Sequence, residues 1–346
     1  MAEGLPGALP WSNIDGHAPV VQASGNYLHM TTNAKLAFVF PGQGSQICGM
    51  LSGLAAQYPV VGGVYQEASQ VLGFDLWELT QKGPEAELNK TEKTQPALLA
   101  ASVAAWRVWK DRAGPMPAFM AGHSLGEYSA LVCAGKLDFI DAVGLVAARG
   151  RYMQEAVPEG AGAMAAILGL SDEEVIAICR QAAQGQIVTA ANFNSPAQVV
   201  IAGHTNAVKR AIEFAATAGA KRCVLLPVSV PSHCALMQDA AGHFAGHLQN
   251  ISFTTGTIPV IHNVDVSIKS DDLQIKQVLI EQLYQPVRWA DTIQMMSGQG
   301  ITHIVECGPG KVLAGLIKRI DKKIETFPVS DPESLDKALS TLQSLN

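Results

Sequence analysis

The chain has 346 residues, 48% of them hydrophobic and 16% charged, which is enough apolar material for a large core and a smaller unit beside it. Its formal charge is −6, with no Lys/Arg block and no aromatic-interleaved basic stripe, so nucleic acid is excluded as an expected partner. With no run of eighteen apolar residues, no signal-peptide layout and six scattered cysteines lacking any C-x-x-C spacing, the chain reads as a cytoplasmic protein with free thiols, without a membrane partner, a disulfide framework or a zinc site.

Residues 1–34 are rich in Gly, Pro, Asn and small residues and have no sustained period, so they read as a disordered leader or appended extension, with a second start-like methionine at Met30. Organised sequence begins with Lys35–Phe40, a buried-strand run, broken by the Gly-rich stretch Pro41–Gln46. That stretch lacks the lysine of a phosphate loop and the third glycine of a dinucleotide site. Helical spacing follows at 50–70 and 95–112, separated by a polar segment with little periodicity. An apolar run then ends at Gly122, and a helical pattern starts at Leu125, Tyr128, Leu131 and Val132. A further helix runs from Asp138 to about Met153 and carries Arg149.

The pattern changes at Pro158. Strands at 162–170, 188–192, 198–202 and 222–227 alternate with helices at 171–183 and 206–218. The first of these helices opens with Ser171 and Glu174, spaced as a capping box. The order β-α-β-β-α-β is the split βαβ motif. A small ferredoxin-like subdomain, 158–228, is therefore expected as an insert between two parts, 35–157 and 229–346, of a large α/β-hydrolase-like domain with a short parallel sheet. In the second part, a helix is expected over 235–250, a strand at 258–261, a helix ending near Met296, a strand at 303–306, and a helix after Gly308-Pro-Gly310.

Gly122-His123-Ser124-Leu125-Gly126 has the G-x-S-x-G form of a nucleophile elbow, in which a strand turns sharply into a helix with serine at the apex. Small residues are needed two places before and after, where the backbones approach. A serine nucleophile needs a base and donors for an oxyanion. Among nine histidines, His17 and His29 fall in the leader and His204 reads as structural. His243 and His247, four apart on one helix, have no evident third metal ligand. His123 should point away from Ser124. His233, between Pro231 and a new helix, is the first candidate base, with His262 and His303 as the alternatives. Arg149, in a small and apolar helix, reads either as a surface residue snorkelling to water or as a fixed fork for a carboxylate.

Phe40–Gln46, Gly122–Ser129, Ala148-Arg149-Gly150, Gly162–Ile167, Asn192–Pro196, Pro231-Ser-His233, Gln282–Val287 and Glu306–Gly310 resemble, in order, the motifs of bacterial malonyl-CoA:acyl carrier protein transacylases. The resemblance runs from about 35 to 340. It implies malonyl transfer from malonyl-CoA to holo-acyl carrier protein through an acyl-serine, by a monomer with no cofactor and no metal. It assigns Ser124 as nucleophile, His233 as base, and the backbone N–H groups of Gln43 and Leu125 as oxyanion hole. Arg149 becomes the carboxylate clamp and the Gln282 carbonyl the group that orients the base, with Asn192 and His123 in support. The rivals are a serine esterase or thioesterase, which would have an acid partner on its base, and a non-catalytic carrier-binding module. Lys221-Arg222, Lys311 and Lys318-Arg319 are the basic residues proposed to meet an acidic carrier.

Overall fold

A computed structural model describes residues 32–228 and 230–344; most of the proposed leader, with His17, His29 and Met30, lies outside the described residues. Among the described residues there are nine strands: β1 Thr32–Phe40, β2 Met116–Gly122, β3 Gly162–Leu168, β4 Val188–Ser195, β5 Gln198–His204, β6 Arg222–Leu225, β7 Val260–Ile261, β8 His303–Cys307 and β9 Glu325–Val329. They form a parallel sheet in the order β7-β2-β1-β8-β9 and an antiparallel sheet in the order β4-β5-β3-β6. This is the expected mixed α/β fold: a larger parallel-sheet unit and a smaller one with the ferredoxin-like strand order.

β1 is the centre of the parallel sheet, and its alternation explains the two layers of helix. Leu36, Phe38 and Phe40 face one core with helices Thr91–Asp111 and Phe139–Glu155, while Ala37 and Val39 face another with helices Trp289–Gly298 and Val312–Ile320. Covered on both faces, the strand is apolar at every position from Leu36 to Phe40, as a central parallel strand must be. Phe38 meets the rings of Trp106 and Trp109 edge-on, each at 5.1 Å, an arrangement favoured by the ring quadrupoles.

Register then fixes where function can sit. Phe40 lies opposite Gly122, and Ala121 opposite Ile261. The Gly-rich loop after β1, the elbow after β2 and the segment His262-Asn263 after β7 therefore leave the same carboxyl edge of the sheet, where open α/β folds place their ligands.

The small unit packs helices Asp172–Ala183 and Thr205–Thr217 on its sheet around Ile167, Val175, Val199, Ile201 and Val208. The expected capping box is present: Glu174 N donates to Ser171 Oγ at 3.2 Å, and Ser171 N donates to Glu174 Oε2 at 2.7 Å.

Several elements differ from the sequence reading. β1 begins at Thr32 rather than Lys35, pairing Thr32 with Met116 and Asn33 with Pro117. The polar segment after residue 70 contains helices Leu76–Lys82 and Glu85–Leu88, and the stretch before Gln282 contains helix Asp272–Glu281. That last helix buries Ile275, Val278 and Leu279, but the exposed Leu273 off that face blurs the apolar period. β9 was masked by Pro328, which an edge strand tolerates, and helix Pro332–Gln343 closes the described chain. Glu306, quoted above as part of a motif, accepts from the amides of Leu313 and Ala314 at 3.0 and 2.8 Å. It caps a buried helix start.

Candidate active site

The elbow is dictated by contact distances. A Cβ on Gly122 would fall 1.8 Å from the Gly126 carbonyl carbon, and one on Gly126 would fall 2.0 Å from the Phe40 oxygen. Only glycine permits strand β2, the turn and helix Gly126–Cys133 to close this tightly. Ser124 at the apex has φ 52°, a left-handed conformation that a non-glycine residue holds only where its surroundings impose it. Asn263 supplies that restraint: its Oδ1 accepts from Ser124 N and its Nδ2 donates to Gly122 O, both at 2.7 Å.

Of the three candidate bases, the fold brings His233 to the serine. Nε2 lies 2.8 Å from Ser124 Oγ, and Nδ1 lies 2.6 Å from the Gln282 carbonyl oxygen. A carbonyl can only accept, so Nδ1 carries the proton and Nε2 is the free base that accepts from the serine hydroxyl. His233 also has a left-handed backbone, φ 62°, and its amide donates to Leu283 O at 3.0 Å. Burial first, and the neighbouring Arg149 charge second, push its pKa down to about 3. The imidazole is held neutral, as a general base requires. The group on Nδ1 is a carbonyl and not a carboxylate, which removes the acid partner that the hydrolase reading demands.

Arg149 is 1% exposed, which settles the choice between surface and pocket. Its Nη2 donates to Ser124 Oγ at 3.3 Å and to Gln282 Oε1 at 3.0 Å, and its Nη1 donates to Gln95 Oε1 at 2.8 Å. The guanidinium also lies 5.4 Å from the Tyr128 ring centre, in cation–π range. Burial lowers its pKa from the usual arginine value. Among the described residues no carboxylate contacts it, and Nε has no partner. A buried cation held only by neutral acceptors is a strong site for an anion beside the serine.

The amides around the serine are mostly spent. His123 N donates to Phe40 O, Gly126 N to His123 O, and Gly44 N to Gln46 Oε1. Among the described residues, the amides of Gln43 and Leu125 donate to no protein group. The Gln43 side chain is anchored separately, from Nε2 to Thr91 Oγ1 at 3.2 Å.

The remaining predicted residues sort clearly. His123 turns away from the serine, as expected, and its Nε2 lies 2.8 Å from Asn194 Oδ1, tying the elbow to β4. Burial lowers its pKa. Asn192 is buried and its strand pairs with Val287, but the hydrogen bond from β4 to the elbow comes from Asn194. His303 lies at the start of β8 stacked on Phe327, and His204 accepts from Ile187 N at 3.0 Å. His243 is exposed and stacks on Tyr152. No group of three or more His, Cys, Asp or Glu among the described residues could hold a metal ion. Sequence reasoning missed Gln95, Glu127, His262 as a structural residue, and Asn263; Glu127 stood within a quoted motif without a role.

The geometry, a serine hydroxyl on a neutral imidazole beside a buried cation and two idle amides, is suited to covalent acyl transfer. Residues 37–331 match the family model described as acyl transferase domain, which gives the class. The malonyl CoA-acyl carrier protein transacylase of Salmonella typhimurium is 56% identical over 306 residues, covering 88% of this chain and 99% of the relative. The crystal structure of an acyl carrier protein S-malonyltransferase from Vibrio cholerae is 58% identical with TM-score 0.86, covering 88% of this chain and 99% of that one. A malonyl-transacylase solved in complex with its type II PKS acyl-carrier protein is 56% identical with TM-score 0.88, covering 89% and 99%. The chain belongs to the bacterial malonyl CoA-acyl carrier protein transacylases.

Proposed function

We propose that this chain transfers the malonyl group from malonyl-CoA to the phosphopantetheine thiol of holo-acyl carrier protein, with Ser124 as nucleophile and His233 as base. The observation that carries the reading is the buried Arg149 guanidinium, 3.3 Å from Ser124 Oγ and free of any protein carboxylate. It is where a malonyl carboxylate can be held while the thioester faces the serine.

Ser124 Oγ attacks the thioester carbonyl carbon as its proton passes to His233 Nε2. The oxyanion is met by the amides of Gln43 and Leu125, the second at a helix start, where partial positive charge accumulates. The C–S bond breaks, the imidazolium returns its proton to the departing CoA sulfur, and malonyl-serine remains. The carrier thiol then gives its proton to Nε2 and attacks the ester, and the C–O bond breaks as the proton returns to Ser124. The Gln282 carbonyl holds the imidazole tautomer throughout, and His123 and Asn192 support the walls of the cleft. Residues 158–228 act as one unit that carries the Asn194 contact to the elbow. The described cysteines are all free, which fits the proposed cytoplasmic location, and no described helix is long and apolar enough to cross a membrane.

On mixing with malonyl-CoA, the intact mass should rise by one malonyl unit at Ser124 and fall again when holo-carrier is added. Ser124→Ala should show no such adduct. Repeated turnover to free malonate without a carrier would overturn transfer in favour of hydrolysis. Arg149→Ala should lose malonyl transfer and relatively gain acetyl transfer; an unchanged preference would remove the clamp.

A further inference from the structure

Transfer as described uses the Arg149 guanidinium and the backbone carbonyl of Gln282. Behind them lies a cluster of polar side chains that take no part in the chemical steps, Glu127, His262, Asn263 and the Gln282 amide, all 0% exposed. Burying a carboxylate is costly unless its lone pairs are met, so so complete a cluster calls for an explanation. Glu127 Oε1 accepts from His262 Nδ1 at 2.7 Å, and Oε2 accepts from Asn263 N at 3.0 Å and Gln282 Nε2 at 2.8 Å. The Asn263 amide and Gln282 Nε2 can only donate, so Glu127 Oε2 serves as their shared acceptor.

The consequence falls on the Gln282 amide. Its nitrogen faces Glu127 and the Ser124 carbonyl, the latter at 3.1 Å, and its oxygen faces Arg149 Nη2 at 3.0 Å. Turned over, the amide would set its oxygen against a carboxylate and its NH2 group against a guanidinium. Glu127, with the Ser124 carbonyl, therefore fixes the amide's orientation, and the amide fixes the guanidinium. A direct Glu–Arg contact would occupy the fork with the protein's own carboxylate. With a neutral amide between them, the negative charge steadies Arg149 without taking the place of an incoming anion. A second arm runs through Asn263, whose amide is held by Glu127 and whose side chain clasps the elbow.

We propose that Glu127 is a positioning residue for acyl-group selection, acting through the Gln282 amide to present Arg149 to an anionic acyl group. This rests on the reading of Arg149 as the carboxylate clamp. Glu127→Gln preserves size and removes the carboxylate acceptor, so the Gln282 amide keeps only the Ser124 carbonyl on its nitrogen and holds Arg149 less firmly. Single-turnover acylation of Ser124 by malonyl-CoA and by acetyl-CoA, measured on the parent and the variant, reads the effect. The malonyl-to-acetyl preference should fall by about tenfold or more, mainly through slower malonyl acylation. A merely structural residue would slow both reactions together, and a ratio within about twofold of the parent overturns the proposal. Should Glu127→Gln fail to fold, Gln282→Met decides: it keeps the backbone carbonyl on His233 and cuts the link from Glu127 to Arg149. The same fall in preference is expected, and an unchanged ratio again overturns the proposal. A parent that itself fails to prefer malonyl over acetyl would defeat the clamp and this inference together. A discriminating parent with equally discriminating variants would defeat the inference alone.

Discussion

The two sheets of this protein meet opposite demands. In the antiparallel sheet, every residue of β3 from Gly162 to Leu168 has a partner in register on β5, and the core beneath is built from Ala, Val, Ile and Leu with Cys179. At the carboxyl edge of the parallel sheet, local rules are broken repeatedly within a few ångströms. Ser124 and His233 have positive φ, Gly122 and Gly126 sit where no Cβ fits, and Arg149, Glu127, His262, Asn263 and Gln282 are buried together. One region is regular apart from two register shifts between β4 and β5, and the other holds strained and charged groups in place, which is where function concentrates.

The strongest way to break this contrast is Gly122→Ala. The added methyl meets backbone atoms of Gly126, and backbone cannot turn aside as a side chain can. Strand and helix would have to separate, so the loss should exceed about 4 kcal/mol, in the exceptional class of single substitutions. Ile201→Val in the small core removes one buried methyl and should cost only about 0.5–1.5 kcal/mol. Urea unfolding of both variants reads the difference, and a Gly122→Ala protein that unfolds and acylates like the parent would show that the elbow is not tight.

A smaller effect separates the edge from the rest by pH. His233 is lowered to about 3, by burial and then by Arg149, so it stays neutral as pH falls through the ordinary imidazole range. Acylation by malonyl-CoA should hold nearly constant from pH 7 to pH 5, where an imidazole of ordinary pKa near 6.5 would be only ~3% neutral. Stability runs the other way. The unfolded chain binds a proton at this histidine below pH 6.5 while the folded chain does not, so its contribution is full above that value and declines as pH falls toward 3. Removing the second cause with Arg149→Ala should move the acid limb upward, read with acetyl-CoA in parent and variant because the variant loses malonyl transfer. An acid limb near 6.5 in the parent would contradict the buried neutral imidazole.

How much of this was legible in sequence depends on how local the cause is. The elbow could be read because its steric rule is contained in five consecutive residues, and the capping box because its partners are three residues apart. The order of elements in the small unit could be read because each strand and helix carries its own period. His233 was only partly legible: its place between Pro231 and a new helix set it ahead of His262 and His303, but what selects it is the end of β2 meeting the Gln282 carbonyl. Glu127 was invisible for the same reason. Its partners His262, Asn263 and Gln282 are 135 or more residues away, and an acid in the first turn of a helix looks like an ordinary dipole contact. The register of β7 against β2 creates the site, and no short stretch encodes it.

The mildest prediction asks whether the two regions are independent. Ser171→Ala removes the acceptor for Glu174 N but leaves Glu174 Oε2 on the Ser171 amide. Both residues lie at a surface helix start, where water can replace the lost partner, so the cost should be about 1 kcal/mol. Ser171→Asp, which keeps a capping oxygen, should restore most of it. Neither variant should change acylation by malonyl-CoA, because the small sheet reaches the elbow through Asn194 and His123, on a different strand from the capped helix. If Ser171→Ala slows acylation as well as lowering stability, the small unit is a working part of the cleft wall, and loosening its helix is felt at the serine.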